Sequence, residues 1–284
     1  MKSGRFCADA GRGMKYIGSA LRYMFKNFIF VFLFALIPSY FFAMTVDTDN
    51  ARVLTQELIS ADGGVTFSGL FTFFSPVNAG GWPYALVCLA ALAVSLPFLF
   101  GFIEKHMRIG SRSFKGLAGR FNTNFITTLV LTLLGTAVYE LWALLAAGLI
   151  FAESLILTGI AYAAVAIATY AAMVALVCYL LSAFLTWLPC LLVTGYRFFD
   201  ALDYSNQICT GHKGGLFLAC FLPAAAGLVL EVAAVALSGF TELPLFLITE
   251  LLFLFFMLYY ASLMFVAYFR LTGEERMDLK KKFG

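Results

Sequence analysis

Six runs of 17 to 27 residues in this 284-residue chain contain no Lys, Arg, His or Asp: Phe28–Met44, Tyr84–Ile103, Phe125–Phe151, Ile160–Thr186, Leu216–Leu237 and Leu245–Phe269. The hydrocarbon core of a bilayer is about 30 Å thick and asks for about 20 mostly apolar residues per helical crossing. The runs therefore predict six transmembrane helices, the first at the short limit. Composition points the same way: 62% of the residues are hydrophobic and 12% charged, where a soluble domain carries about 25% charged residues. With 32 Phe and a mean hydropathy of +0.91, a soluble globule of this size has no interior large enough for its apolar surface. A cytosolic enzyme, a disordered chain and a secreted disulfide scaffold are excluded. The expected fold is all-α, a polytopic membrane helical bundle forming one integral-membrane domain over residues 1–284. It comprises a basic amphipathic segment at 1–27, a six-crossing bundle at 28–269 and a basic tail at 270–284.

The basic residues are one-sided. Segments 1–27, 104–124, 194–215 and 270–284 hold 18 of the 19 Lys and Arg, and the loops between them hold only Arg52. Lys and Arg near helix ends bias a loop toward the cytoplasm. Both termini are expected inside, in a bacterial-type cytoplasmic cell membrane. No small-x-small cleavage pattern follows the first run, so it reads as a retained helix and not as a removed signal peptide.

The opposite face is acidic, with Asp47, Asp49, Glu57, Asp62, Glu153 and Glu242. Its one sizeable loop, 45–83, carries Phe67, Leu70, Phe71, Phe73 and Phe74 ahead of Gly80-Gly81, Trp82 and Pro83. The commoner arrangement for such a loop is to rest on the headgroups beside a belt tryptophan. The other is an outer lid over a cavity. Cys7, Cys88, Cys178, Cys190, Cys209 and Cys220 all avoid the outer loops, so no disulfide is expected. Their spacings match no zinc pattern, and His106 and His212 are the only histidines. Buried free thiols are expected, and neither metal nor cofactor.

Three times a basic, half-amphipathic segment leads into a crossing: Arg12–Lys26, Lys105–Arg120 and Arg197–Lys213. In the first, Met14, Ile17, Leu21 and Met24 share a helical face opposite Lys15, Arg22 and Lys26. Such helices lie along an anionic inner leaflet. Lys15, Arg22, Lys26, Arg112, Lys115, His212 and Lys213 are accordingly candidate lipid-headgroup contacts. The chain reads as three units, each an interfacial helix plus a helical hairpin. Sliding the second unit onto the third aligns Glu140 with Glu231, without identity above the background of so biased a composition.

Glu140, Glu231 and Glu250 lie inside predicted crossings, in their outer halves. A charge at membrane depth costs roughly 2.5–3.5 kcal/mol on insertion scales and usually faces a cavity, a partner or the bundle interior. Together the three form a candidate proton or cation site. The plainer alternative has Glu140 and Glu250 snorkelling to the interface and Glu231 bonded to a neighbouring helix. Ala164, Ala168, Ala172 and Ala175 in the fourth crossing mark a helix contact, within the chain or between copies. Pro38, Pro97, Pro189 and Pro223 fall in or beside crossings, where neighbours take up the freed carbonyls. Pro189 is expected to end or bend the fourth run. None of GxGxxG, GxxxxGK[ST], HExxH or GxSxG occurs in a fitting context, and no Asp pair or histidine lies at depth, which argues against an enzyme.

Ser205, then Gly211-His212-Lys213, then Leu216-Phe217 compose a serine, a short helical stretch, GHK and LF at the mouth of a crossing. This segment resembles one that recurs in an uncharacterised bacterial family of multi-pass membrane proteins, classed as a domain of unknown function. That family is distantly like the membrane domain of glycerophosphodiester phosphodiesterases. The lead-in Leu185–Leu202 and the tyrosines Tyr259, Tyr260 and Tyr268 fit its outline, which covers about residues 85–270. The chain departs from it at Gly214-Gly215 and in the outer loop. The resemblance implies an all-helical membrane domain without assigned catalysis. Physically, Gly211 can end the interfacial helix in a left-handed turn, with Lys213 near the phosphate level. The leading reading is a non-enzymatic accessory or organising component that binds membrane lipids, another membrane protein or a second copy of itself. The runner-up is a small proton- or cation-coupled permease using Glu140, Glu231 and Glu250. No patch suited to nucleic acid is present.

Overall fold

The computed structural model describes residues 2–59, 65–77, 81–110, 112–238 and 243–273, and every regular element among them is helical. In chain order these are α1 (Lys2–Lys26), α2 (Phe28–Ala43), α3 (Thr48–Ile59), α4 (Phe67–Phe74), α5 (Trp82–Ile109), α6 (Leu117–Ser154), α7 (Gly159–Phe184), α8 (Trp187–Thr194), α9 (Phe198–Cys209), α10 (Lys213–Ser238) and α11 (Leu243–Thr272). Asp62, Gly80, Glu242, the Cys7 side chain and most of the basic tail lie outside the described residues.

Five spans are long and apolar enough to cross a membrane alone: α5, α6, α7 with α8, α10 and α11. At 1.5 Å per residue, the 16 residues of α2 reach only about 24 Å. It qualifies only jointly with α1, and the two meet at 91°. The straight sixth crossing expected at Phe28–Met44 is not found: the count reaches six only if the bent pair is taken as one span. The corner is Asn27, which is buried. Its side-chain amide donates to the Tyr23 carbonyl at 2.8 Å, and its own carbonyl accepts from Phe30 and Val31, so one residue closes α1 and opens α2.

The spans close a ring in the order α2, α5, α6, α7, α10, α11 and back to α2, with α5 and α11 meeting across it. The half of the ring next to α1 is packed solid by Phe102, Phe265, Tyr259, Leu99, Ile103 and Met24, all essentially without exposed surface. This is the basic end of the molecule. Pro223 in α10 lacks the N–H that would serve the carbonyl four residues earlier, and that carbonyl, of Ala219, accepts from the Tyr259 hydroxyl at 2.7 Å. Tyr260 serves Cys220 at 2.8 Å in the same way. A neighbouring helix thus satisfies what the proline frees.

α1 lies against α10 and α11 and divides into three faces. Gly13, Tyr16, Ala20 and Met24 are buried, while Lys15, Arg22 and Lys26 are exposed. Met14 and Phe25 open sideways, 61% and 64% exposed. The buried face is therefore rotated from the one expected, because small residues allow the closest approach. A Cβ at Gly13 would stand 3.0 Å from the Gly215 carbonyl oxygen and from Leu218. Replacing Gly13 with Leu overpacks this crossing by roughly 1–3 kcal/mol. The expected outcome is faster tryptic cleavage at Lys15 and Arg22; an unchanged cleavage rate would count against the tight contact. Arg270 clasps the two ends of the chain, donating to Ser19 at 3.0 Å with its guanidinium 5.4 Å from the Tyr16 ring centre.

Two expectations are corrected here. The segment Lys105–Arg120 is not an interfacial helix: α5 runs on to Ile109, stops at left-handed Gly110 (φ 81°), and α6 starts after left-handed Gly116 (φ 79°). The cause is Glu104, only 4% exposed, which pairs with Arg108 at 2.9 Å and Arg120 at 2.5 Å. Lys105 then ties the corner by donating to Ser113 and to the Lys115 carbonyl. The three-unit pattern survives only in its first and third members, α1 and α9. Second, the fourth run breaks at Leu185–Thr186, upstream of Pro189, which sits in the first turn of α8 where its missing N–H leaves no helical bond unmade. Of the alanines marked as a helix contact, Ala164, Ala168 and Ala172 face outward, the side available to another copy or partner, while α7 packs inward through Tyr162, Ala166 and Cys178. Cys88, Cys178, Cys190, Cys209 and Cys220 are buried free thiols.

Candidate functional site

Within the loop 45–83, α3 and α4 pack on α6, α7 and α10. The lid arrangement is the one found. Local chemistry shapes it: Thr66 caps α4 by accepting from the Gly69 N–H, and Asp47 accepts from the Asn50 N–H at the start of α3. The Asn50 side chain then donates to the Gly69 carbonyl at 3.2 Å, joining the two helices. At its far end the lid is tied to α6 twice. Ser75 donates to the Glu140 carboxylate at 2.5 Å, and the Tyr139 hydroxyl donates to the Phe74 carbonyl at 2.9 Å.

Beneath the lid the ring is hollow. A chamber of about 590 Å³ is lined by all six ring helices. A further space of about 360 Å³ lies directly under α3 and α4, and a narrower one of about 140 Å³ lies beside Ser75. Glu231 and Tyr170 line all three. Around them Phe74, Tyr139, Trp142 and Tyr170 form an aromatic cluster with ring centres 5.3 to 6.3 Å apart.

The polar groups of the chamber wall have a definite sense. Thr45, Cys88, Thr132, Thr136, Tyr139, Trp142 and Tyr260 each donate to a backbone carbonyl. Their donors are spent on the protein, and what they turn to the cavity is lone pairs and ring faces. Among the described residues, none makes a hydrogen bond or ion pair with Glu231. The chamber is a largely apolar box with one carboxyl group in its wall, and the hydroxyls of Tyr170 and Thr249 also line it.

The three intramembrane glutamates are not brought together. Glu140 sits at the tie between α4 and α6, with its second oxygen buried and without a partner among the described residues. Glu231 lies in the chamber wall. Glu250 follows Thr249, which faces the chamber, and at roughly 100° per residue it turns away along α11, half-buried. Both Glu140 and Glu231 lie within electrostatic reach of the Tyr139 hydroxyl.

The candidate headgroup contacts divide as well. Lys15, Arg22, Lys26, Arg112 and Lys115 are exposed. Arg112 also donates to His106, whose other ring nitrogen meets the Tyr23 hydroxyl at 3.0 Å. His212 and Lys213 are half-buried at the joint of α9 and α10, where Lys213 donates to Asn206 at 3.0 Å. Gly211 does take the left-handed turn expected there (φ 85°). Comparison of the chain with protein-family models, with curated proteins and with solved structures found no match. Function must therefore be argued from the chamber itself. The aromatic cluster escaped the sequence reading. Its one local trace is Tyr139 and Trp142, three residues apart on the helix that carries Glu140; Phe74 and Tyr170 join them only through the fold.

Proposed function

We propose that this protein is a small membrane carrier that takes up an organic cation with an apolar body. The observation that carries this reading is the wall of the chamber: seven of its nine side-chain donors are committed to backbone carbonyls, while Glu231 is left facing the cavity beside aromatic rings. A neutral polar ligand needs donors as well as acceptors. A cation needs only the acceptors, a counter-charge and aromatic faces, and cation–π attraction is strongest where water is excluded. The apolar remainder of the wall suits a hydrophobic ligand body. In this reading the basic end faces the cytoplasm, in keeping with the positive-inside bias, and the lid of α3 and α4 faces outward as the gate. Glu231 holds the cation. Glu140 holds the gate through Ser75, and Glu250 is no part of the site.

The direct test is fluorescence titration of the purified protein with benzyltrimethylammonium, read at Trp142. Saturable quenching that disappears in Trp142→Phe, and that the uncharged isostere neopentylbenzene does not reproduce, is the expected result. Equal response to both compounds would overturn the cation reading.

One observation favours the accessory reading instead. The α7 alanines face outward, and small residues allow close approach of another membrane helix. Co-purification of a stoichiometric partner that crosslinks at Ala168 would support it.

A further inference from the structure

A second apolar groove, of about 580 Å³, runs on the outside of the ring beneath α1. Met14, Ile17 and Leu21 form its roof, and Leu222 and Ala226 of α10 with Phe255 of α11 belong to its walls. Leu252 and Phe256 of α11 form a wall common to this groove and the chamber around Glu231, and the inference below does not depend on what that chamber binds. The groove opens to the side on which Met14 is 61% exposed, the side a bilayer covers.

The sequence of α1 repeats above this groove with a period of seven. Gly11, Met14 and Lys15 are followed by Gly18, Leu21 and Arg22. At roughly 100° per residue the apolar pair, the glycine pair and the basic pair form three adjacent strips along the helix. The glycine strip is bare: a Cβ at Gly11 or Gly18 would meet nothing within 4 Å. A path free of side chains thus leads from the apolar groove to two exposed cations. An acyl chain fits the first, a phosphate the second, and the glycine strip lets the joint between them lie against the backbone.

We infer that the groove under α1 is a binding site for one anionic diacylphospholipid. Its acyl chain lies between α10 and α11, and its phosphate crosses the Gly18 backbone to Lys15 and Arg22. Juxtaposed basic residues attract anionic lipid by about 1 kcal/mol each, so losing two lowers the preference by about tenfold or more.

The experiment is native mass spectrometry of the full chain after exchange into micelles doped equally with dioleoylphosphatidylglycerol and dioleoylphosphatidylcholine. The expected result is a single retained phosphatidylglycerol and no retained phosphatidylcholine. In the double variant Lys15→Gln, Arg22→Gln that preference falls by about tenfold. Ala226→Phe, which fills the groove, removes the retained phosphatidylglycerol. Lys15, Arg22 and Ala226 are all exposed, so these variants keep the fold, and circular dichroism verifies it. Equal retention of the two lipids, retention unaffected by both variants, or a lipid-free dimer with the groove covered by a second copy would each overturn the site.

Discussion

Glu231→Gln removes cation binding and uptake while the bundle stays folded. The substitution keeps the shape of the side chain and deletes the one acidic group among the described residues that line the chamber. A quaternary ammonium has no N–H, so what is lost is Coulombic attraction, about 4 kcal/mol for unit charges about 4 Å apart at an effective dielectric of about 20 before the cost of desolvation; a loss of about 10- to 100-fold in affinity is the expected size. The new amide restores no counter-charge, and its N–H groups find no acceptor on a quaternary ammonium. The measurement is uptake of benzyltrimethylammonium into proteoliposomes alongside its Kd in detergent. Glu250→Gln, off the chamber, leaves both at the wild-type level. If Glu231→Gln transports normally, the carrier reading fails at its centre. If Glu250→Gln abolishes uptake, the three carboxylates work together despite their separation.

Glu104→Ala is the variant expected to cost most in stability. Its carboxylate is buried and accepts from two guanidinium groups. Removing one partner of a buried ion pair costs roughly 3–5 kcal/mol because the other charge is stranded. The side chains of Arg108 and Arg120 keep 48% and 28% of their surface exposed. Solvent therefore screens what remains, and about 2 kcal/mol is the expected loss. Thermal unfolding in detergent should show Tm lower by about 5 °C, with Glu104→Asp in between. The loss concentrates where α5 meets α6, so faster amide exchange at 112–120 is the local signature. An unchanged Tm would mean that the two arginines are solvated well enough to stand alone.

The crossings were legible because a bilayer imposes a length, and runs of 17 to 27 apolar residues are hard to read otherwise. Gly211 was legible for a similar reason, as few residues other than glycine take φ 85° cheaply. What failed had a common origin. In a soluble helix apolarity marks the buried face, but on α1 both the protein-facing and the lipid-facing residues are apolar, so Met14 looked as interior as Met24. Glu104 looked like the end of a helix because a charge usually is one; its two arginine partners reach it from one turn on and from another helix. The lid was legible as one of two alternatives, since amphipathic aromatic residues suit headgroups and cavities alike. The site divides in the same way. Glu231 could be named from its depth alone, whereas Phe74 and Tyr170 are ordinary aromatics until α4 and α7 bring them beside Trp142.

The order of helices around the ring carries a consequence for biogenesis. The seam lies between α2 and α11, the earliest and the latest of the ring helices to be synthesised. Until α11 leaves the ribosome the other five form an open palisade whose inner wall is lipid-facing, and its cavity holds hydrocarbon. Docking of α11 on α2 excludes that lipid and completes the chamber in one step, and Arg270, near the end of the same helix, then reaches Ser19 on α1. The chamber is thus the last part of the ring to close.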